Sequence, residues 1–145
     1  MPPESKPTTP EVSQATIDMA KASFERCCAQ PDFLAHFYRN FFTNCPDAEP
    51  MFAKTEFERQ HKLLRHAIGL LLIFPNHMDE EPTVLKRVAD RHGRRDLDVD
   101  PSYYPAFVES LMQTVREHDA EFSDAIDDAW HRTIAPGVAY MQSRY

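Results

Sequence analysis

Apolar residues recur at helical spacings through most of the chain, and no stretch shows the alternation of apolar and polar positions that marks a half-buried strand. Prolines and capping residues divide this pattern into segments. The spacing predicts helices from Thr9-Pro10-Glu11 to Gln30-Pro31, from Pro31 to Cys45, from near Thr55 to Phe74, from Pro82 to His92, from Asp100-Pro101 onward, and from about Ser123 onward. We therefore predict an all-α fold of six to seven helices.

The second predicted helix has an unusually broad apolar face, so we expect it to be buried on more than one side. That face comprises Phe33, Leu34, Phe37, Tyr38, Phe41 and Phe42. In the first helix the spacing directs Val12, Ala15, Met19, Ala22 and Cys27 inward, and in the third it directs Gln60, Leu63, Leu64, Ala67, Ile68, Leu71 and Leu72 inward. Between these helices, residues 46–52 are predicted to form a tight corner of about one turn.

A histidine ends the apolar stripe of the fourth predicted helix. Leu85, Val88 and Ala89 share one face, and His92 lies on that face one turn further along. An imidazole at the edge of a dry pocket is a candidate metal ligand, although such a histidine is more often a packing residue. Because basic residues surround it, the site suits an apolar cofactor with carboxylate tails, such as haem.

Composition narrows the classes of function. The chain has 145 residues and a formal net charge of -7, which argues against a nucleic-acid partner. No apolar run approaches the roughly 20 residues needed to span a bilayer, so we predict no membrane insertion. The three cysteines have no zinc-site spacing and are interpreted as reduced thiols of a cytoplasmic protein. Residues 1–8 are predicted to be a disordered tail and residues 9–145 one domain.

The ordered set of distinctive residues resembles a known family. It comprises Phe37-Tyr38-Arg39-Asn40-Phe41-Phe42, then Pro46, Phe52, Gln60 with Leu64, His92, Tyr104-Pro105 and Trp130. In order and spacing this set is similar to the globins, in particular the bacterial single-domain haemoglobins and the globin domain of flavohaemoglobins. The resemblance implies a globin domain over residues 9–145 that folds around haem b.

The resemblance also implies roles for individual residues. His92 corresponds to the proximal ligand of the haem iron, and Phe52 to the phenylalanine that stacks on the porphyrin. Tyr38 and Gln60 correspond to the distal pair that hydrogen-bonds dioxygen, with Leu64 closing the pocket one turn further on. A phenol or amide donor in a dry pocket stabilises the negative charge on bound dioxygen. A shift of one residue would instead place His61 at the distal face.

Four further residues are assigned to the cofactor pocket. Arg91 and Arg95 could pair with the haem propionates, Phe107 lines the pocket, and Tyr104 resembles the proximal tyrosine of flavohaemoglobins. In that family the tyrosine acts with a glutamate near the end of the last helix. Tyr145 stands at the corresponding position here, which puts peroxidase-like activity in doubt because a carboxylate behind the histidine favours splitting of peroxide.

The expected function is reversible dioxygen binding and oxidation of nitric oxide to nitrate, with CO as a further ligand. No flavin or nicotinamide domain is apparent, so a separate reductase is expected to supply electrons. A haem-based gas sensor, an oxygen store or carrier, and a globin-fold module that binds no haem remain alternatives.

Overall fold

The computed structural model describes residues 12–145, and these residues contain helices and no strand. The α-helices are α1 Gln14–Cys28, α2 Phe33–Asn44, α3 Phe57–Ile73, α4 Lys86–His92, α5 Tyr103–His118 and α6 Asp124–Ser143; 3-10 helices cover Pro46–Phe52 and Phe74–Asn76. The all-α prediction is confirmed. The predicted tail and the Thr9 cap lie outside the described residues. None of the helices described is long and apolar enough to cross a membrane.

Helix α1 begins later and turns a different face inward than predicted. Its N-cap is Ser13, whose hydroxyl accepts a hydrogen bond from the backbone N–H of Thr16 at 3.1 Å. Of the residues predicted to face inward, only Cys27 is buried, and the face that includes Ala15, Met19 and Ala22 is exposed. The buried positions are Ile17, Ala20, Ser23, Phe24 and Cys27.

The buried face of α1 includes one polar residue, Ser23. The Ser23 hydroxyl donates to the carboxylate of Asp119 at 2.6 Å and accepts from the indole N–H of Trp130 at 2.9 Å. Arg26 supplies two further hydrogen bonds to the same carboxylate, at 2.7 and 2.9 Å. Because every polar group in this network has a partner, serine occupies a core position that an apolar pattern does not predict.

Helix α2 crosses the core and packs mainly against α5. Phe37 is 1% exposed and Tyr38 is 5% exposed, and these adjacent side chains point about 100° apart around the helix. The prediction that this helix is buried on more than one side is therefore confirmed. On a polar flank, the side-chain amide of Asn40 donates to the hydroxyl of Thr114 at 2.9 Å, and that of Asn44 donates to Ser110 at 2.9 Å. This pairing fixes the rotation of α2 and therefore the direction of its aromatic side chains.

The inner face of α3 is apolar as predicted, with one exception. Leu64, Ile68, Leu71 and Leu72 are buried, but Leu63 is 51% exposed. In a helix, adjacent residues point about 100° apart, so a face centred on Leu64 and Ile68 turns Leu63 to solvent. The prediction for Leu63 is therefore wrong.

Helix α4 is shorter than predicted and begins at Lys86 rather than Pro82. Leu85 immediately precedes it and is fully buried, while Ala89 is 2% exposed. Both residues pack α4 against the core, and His92 lies on the same face of the helix. Helix α6 passes close by, since its glycine Gly137 lies directly against Leu85.

Substitution of Gly137 with alanine should destabilise the protein. An added Cβ would lie 2.6 Å from Cδ2 of Leu71 and 3.0 Å from Cδ1 of Leu85, and both leucines are packed in the core. Overpacking of this kind costs about 1–3 kcal/mol. Denaturant unfolding measured by circular dichroism checks the expected loss of stability.

The matched control is the glycine inside α3. An added Cβ at Gly69 meets no atom within 4 Å. Alanine there should raise the free energy of unfolding by roughly 0.5–1 kcal/mol, because glycine is a poor helix former. Equal effects of the two substitutions would contradict the close approach of α6 to Leu85.

Candidate functional site

Tyr38 stands at the centre of an aromatic cluster. Its ring centroid lies 5.8 Å from that of Phe42, 5.5 Å from that of Phe52 and 5.4 Å from that of Phe57. The side chain comes from the middle of α2, and the 3-10 helix Pro46–Phe52 brings Phe52 back beside it. Burial raises the pKa of the Tyr38 hydroxyl to about 12, so this phenol is a protonated donor at neutral pH.

Gln60 reaches the same hydroxyl from α3. Its side-chain N–H donates to the Tyr38 oxygen at 3.0 Å. The phenol oxygen therefore acts as an acceptor toward Gln60, and its own hydrogen is left to donate elsewhere. By donating to the phenol oxygen, the Gln60 amide also polarises the O–H bond of Tyr38 and makes that hydroxyl a stronger donor.

His61 contacts the tyrosine differently. Its ring stacks on the Tyr38 ring, with centroids 5.8 Å apart and an interplanar angle of 21°. It also lies 6.1 Å from the ring of Phe57. His61 therefore covers a face of Tyr38, whereas Gln60 makes the polar contact with its hydroxyl.

Two apolar residues predicted for the pocket lie in the adjoining core. Leu64 is 7% exposed and follows Gln60 by one helical turn. Phe107 of α5 packs edge-on against Phe37 at 5.2 Å and against Phe41 at 6.3 Å. Phe107 is thus joined to Tyr38 through the ring of Phe37, which lies 5.3 Å from the tyrosine.

His92 ends α4 with one ring nitrogen already engaged. Its Nδ1 lies 2.7 Å from the Val88 carbonyl, a geometry in which Nδ1–H donates to the backbone oxygen. Desolvation lowers the pKa of His92, although the hydrogen bond to Val88 acts in the opposite direction. The ring is therefore a neutral imidazole whose Nε2 has no hydrogen-bond partner among residues 12–145.

The arginines in the last turn of α4 and in the segment that follows it differ in whether they already have partners. Arg91 forms two hydrogen bonds with Asp96, at 2.8 and 3.0 Å. Arg94 lies over the ring of Tyr145, 4.8 Å from its centroid. Arg95 is exposed and forms no ion pair within the described part of the chain, so it is the freer of the two arginines predicted to bind propionates.

The two tyrosines predicted near the proximal side have separate environments. Burial raises the pKa of Tyr104 to about 12. The Tyr145 hydroxyl hydrogen-bonds to the carboxylate of Asp98, which adopts the left-handed conformation with φ of 52°. Sequence reasoning missed this contact, since nothing near Tyr145 in the chain identifies a partner 47 residues away.

Comparisons with known proteins identify the class to which this fold and site belong. The sequence matches the globin family over residues 35–141, and the chain therefore belongs to the globins. A solved structure from Pseudomonas aeruginosa PAO1, described as structurally highly homologous to a human haemoglobin, is 31% identical with a TM-score of 0.82. The match covers 90% of this chain and 98% of that chain. No curated protein matches.

Family membership and the haemoglobin-like fold identify a haem-binding, oxygen-binding globin. The side chains available to bind a metal at His92 fit haem. Within residues 12–145 no three histidine, cysteine, aspartate or glutamate side chains come together to hold a metal ion. An iron at His92 would thus take most of its ligands from a prosthetic group, and the neutral ring with unpartnered Nε2 provides the one ligand that haem requires from a protein.

Proposed function

We propose that this globin holds haem b through Nε2 of His92, binds dioxygen beside Tyr38, and oxidises nitric oxide to nitrate. The hydrogen bond from Gln60 to Tyr38 inside the aromatic cluster is the observation that carries the proposal. Haem iron, when bound, supplies reversible coordination of dioxygen, nitric oxide and CO. Side chains of the protein would orient the ligand, donate a hydrogen bond to it and exclude water.

Tyr38 would donate its hydroxyl hydrogen to dioxygen in the site. Gln60 holds the phenol oxygen at 3.0 Å and so orients the remaining O–H. Phe52 contacts the tyrosine ring and would pack on the porphyrin, while Leu64 would close the apolar wall. Because the surrounding rings exclude water, the hydrogen bond meets little competition from solvent.

The environment of His92 favours oxygen binding over peroxide chemistry. The partner of its Nδ1 is the neutral carbonyl of Val88. A carboxylate there would make the imidazole a stronger electron donor and promote O–O cleavage. Tyr145, which stands where flavohaemoglobins have a glutamate, is bonded to Asp98. We therefore propose low peroxidase activity.

The reaction needs one electron for each turnover, since nitric oxide and dioxygen combine with one electron to give nitrate. We propose that a separate reductase supplies it in the cytoplasm. All three cysteines of the chain are free thiols, which agrees with a reducing compartment. Arg95 and, after release from Asp96, Arg91 would pair with the haem propionates.

Nitric oxide consumption tests the proposed function. The haem-loaded protein, equilibrated with air and kept reduced by an added electron-donor system, should convert each pulse of nitric oxide to nitrate in nearly stoichiometric yield, as measured with a nitric oxide electrode and nitrate analysis. Tyr38→Phe should slow the conversion because dioxygen is retained less well. Reversible oxygen binding without nitrate formation would contradict turnover and leave oxygen storage or sensing.

A further inference from the structure

A pocket opens beside the aromatic cluster at the surface of the protein. It has a volume of about 350 Å³ and lies where the end of α2, the 3-10 helix Pro46–Phe52 and the start of α3 meet. Its walls include Phe42, Phe52 and Phe57. All three side chains are only partly buried, so the pocket is accessible from solvent.

The same three phenylalanines surround Tyr38. Their centroids lie 5.4–5.8 Å from that of the tyrosine, and Phe42 and Phe52 lie 5.3 Å from each other. A single layer of aromatic rings therefore separates the pocket from Tyr38. The pocket has solvent on one side and the proposed oxygen-binding residue on the other.

The lining selects small apolar molecules. Pro46, Pro50 and Ala53 complete the walls, and Glu49 is the one charged residue that contributes. Enclosed apolar cavities bind gases such as xenon. The phenylalanine and proline walls of this open pocket favour the same class of molecule. An anion such as nitrate would be disfavoured by the carboxylate of Glu49 and by the lack of a hydrogen-bond donor on the phenylalanine side chains.

We propose that this pocket is the vestibule through which a diatomic gas reaches Tyr38. The gas partitions into the pocket from solvent and passes inward when Phe42, Phe52 or Phe57 rotates. This inference rests on the proposed function, since it gives the access route to the same site.

Xenon tests the pocket independently of haem. Crystals of the protein pressurised with xenon should show a xenon atom against Phe42, Phe52 and Phe57. Ala53→Leu should weaken xenon binding at that site, because the three added carbon atoms occupy part of the pocket. Ala53 is exposed, so this substitution leaves the core intact.

CO kinetics test the route in the haem-loaded protein. Ala53→Leu should reduce the association and dissociation rate constants of CO together, by about five- to tenfold, as a barrier raised by roughly one to one and a half kcal/mol requires. The CO equilibrium constant should be unchanged, because an obstacle on the route affects entry and exit equally. Ala125→Leu, on the exposed side of α6, is the matched control and should leave both rates unchanged.

The outcomes separate this inference from the proposed function. Unchanged CO rates in Ala53→Leu, or xenon bound only elsewhere, would overturn the vestibule. A change in the CO equilibrium constant with little change in association rate would also overturn it, because the substitution would then act on the binding site. Xenon in the pocket of a protein that takes up no haem would instead contradict the proposed function and leave the gas pocket in place.

Discussion

Replacing His92 with alanine should give a folded protein that no longer retains haem. The wild-type Nδ1 is held by the Val88 carbonyl at 2.7 Å, which leaves Nε2 as the free nitrogen of a neutral ring. None of the other six histidines shares this setting. His36 and His118 bond to each other, His77 bonds to Glu80, His61 stacks on the ring of Tyr38, and His66 and His131 are exposed. The loss of the Soret absorption band during haem titration measures the effect.

A matched histidine substitution separates haem binding from general instability. His66→Ala removes an exposed imidazole from α3 and should leave both the Soret band and the circular dichroism spectrum unchanged. Added imidazole should restore haem binding to His92→Ala by filling the vacated space beside the iron. An unaltered spectrum for His92→Ala without imidazole would show that another residue ligates the iron.

The helices that the sequence predicted most accurately are those whose apolar faces agree with their capping residues. Helix α6 begins after Ser123, whose hydroxyl accepts a hydrogen bond from Ile126, and it buries Trp130 and Ile134. Helix α1 has two apolar stripes, and the wrong one was predicted to face inward. The buried stripe, which comprises Ile17, Ala20, Phe24 and Cys27, also contains Ser23, whose partners lie about 100 residues away. Hydrophobic periodicity cannot register a polar group that tertiary contacts satisfy.

In the candidate site, too, the sequence predicted what depends on local pattern and missed what depends on tertiary contacts. The aromatic pattern of α2 and the order of distinctive residues were sufficient to predict that Tyr38, Phe52 and Gln60 belong to one site, and the three side chains are in contact around Tyr38. Side-chain contacts between distant segments were not predictable, because spacing along one helix contains no information about them. The pairing of Tyr145 with Asp98, 47 residues away, is of this kind.

Tyr38→Phe should speed dioxygen dissociation by roughly ten- to a hundredfold. The Gln60 amide donates to the phenol oxygen at 3.0 Å, so the phenol hydrogen remains for the ligand. A hydrogen bond to a partly charged group contributes about 1.5–3 kcal/mol, and each 1.4 kcal/mol corresponds to a factor of ten. CO gains little negative charge, so its dissociation should change much less. Stopped-flow measurement of both ligands gives the comparison.

Substitutions in α3 determine which residue assists the tyrosine. Gln60→Leu should speed dioxygen dissociation in the same direction but less than Tyr38→Phe, because it removes the group that orients the phenol and leaves the donor itself. His61→Leu should have a small effect, since His61 contacts the ring face of Tyr38 and not its hydroxyl. A large effect of His61→Leu combined with none of Tyr38→Phe would instead assign the donor role to His61, and the distal pair proposed here would be wrong.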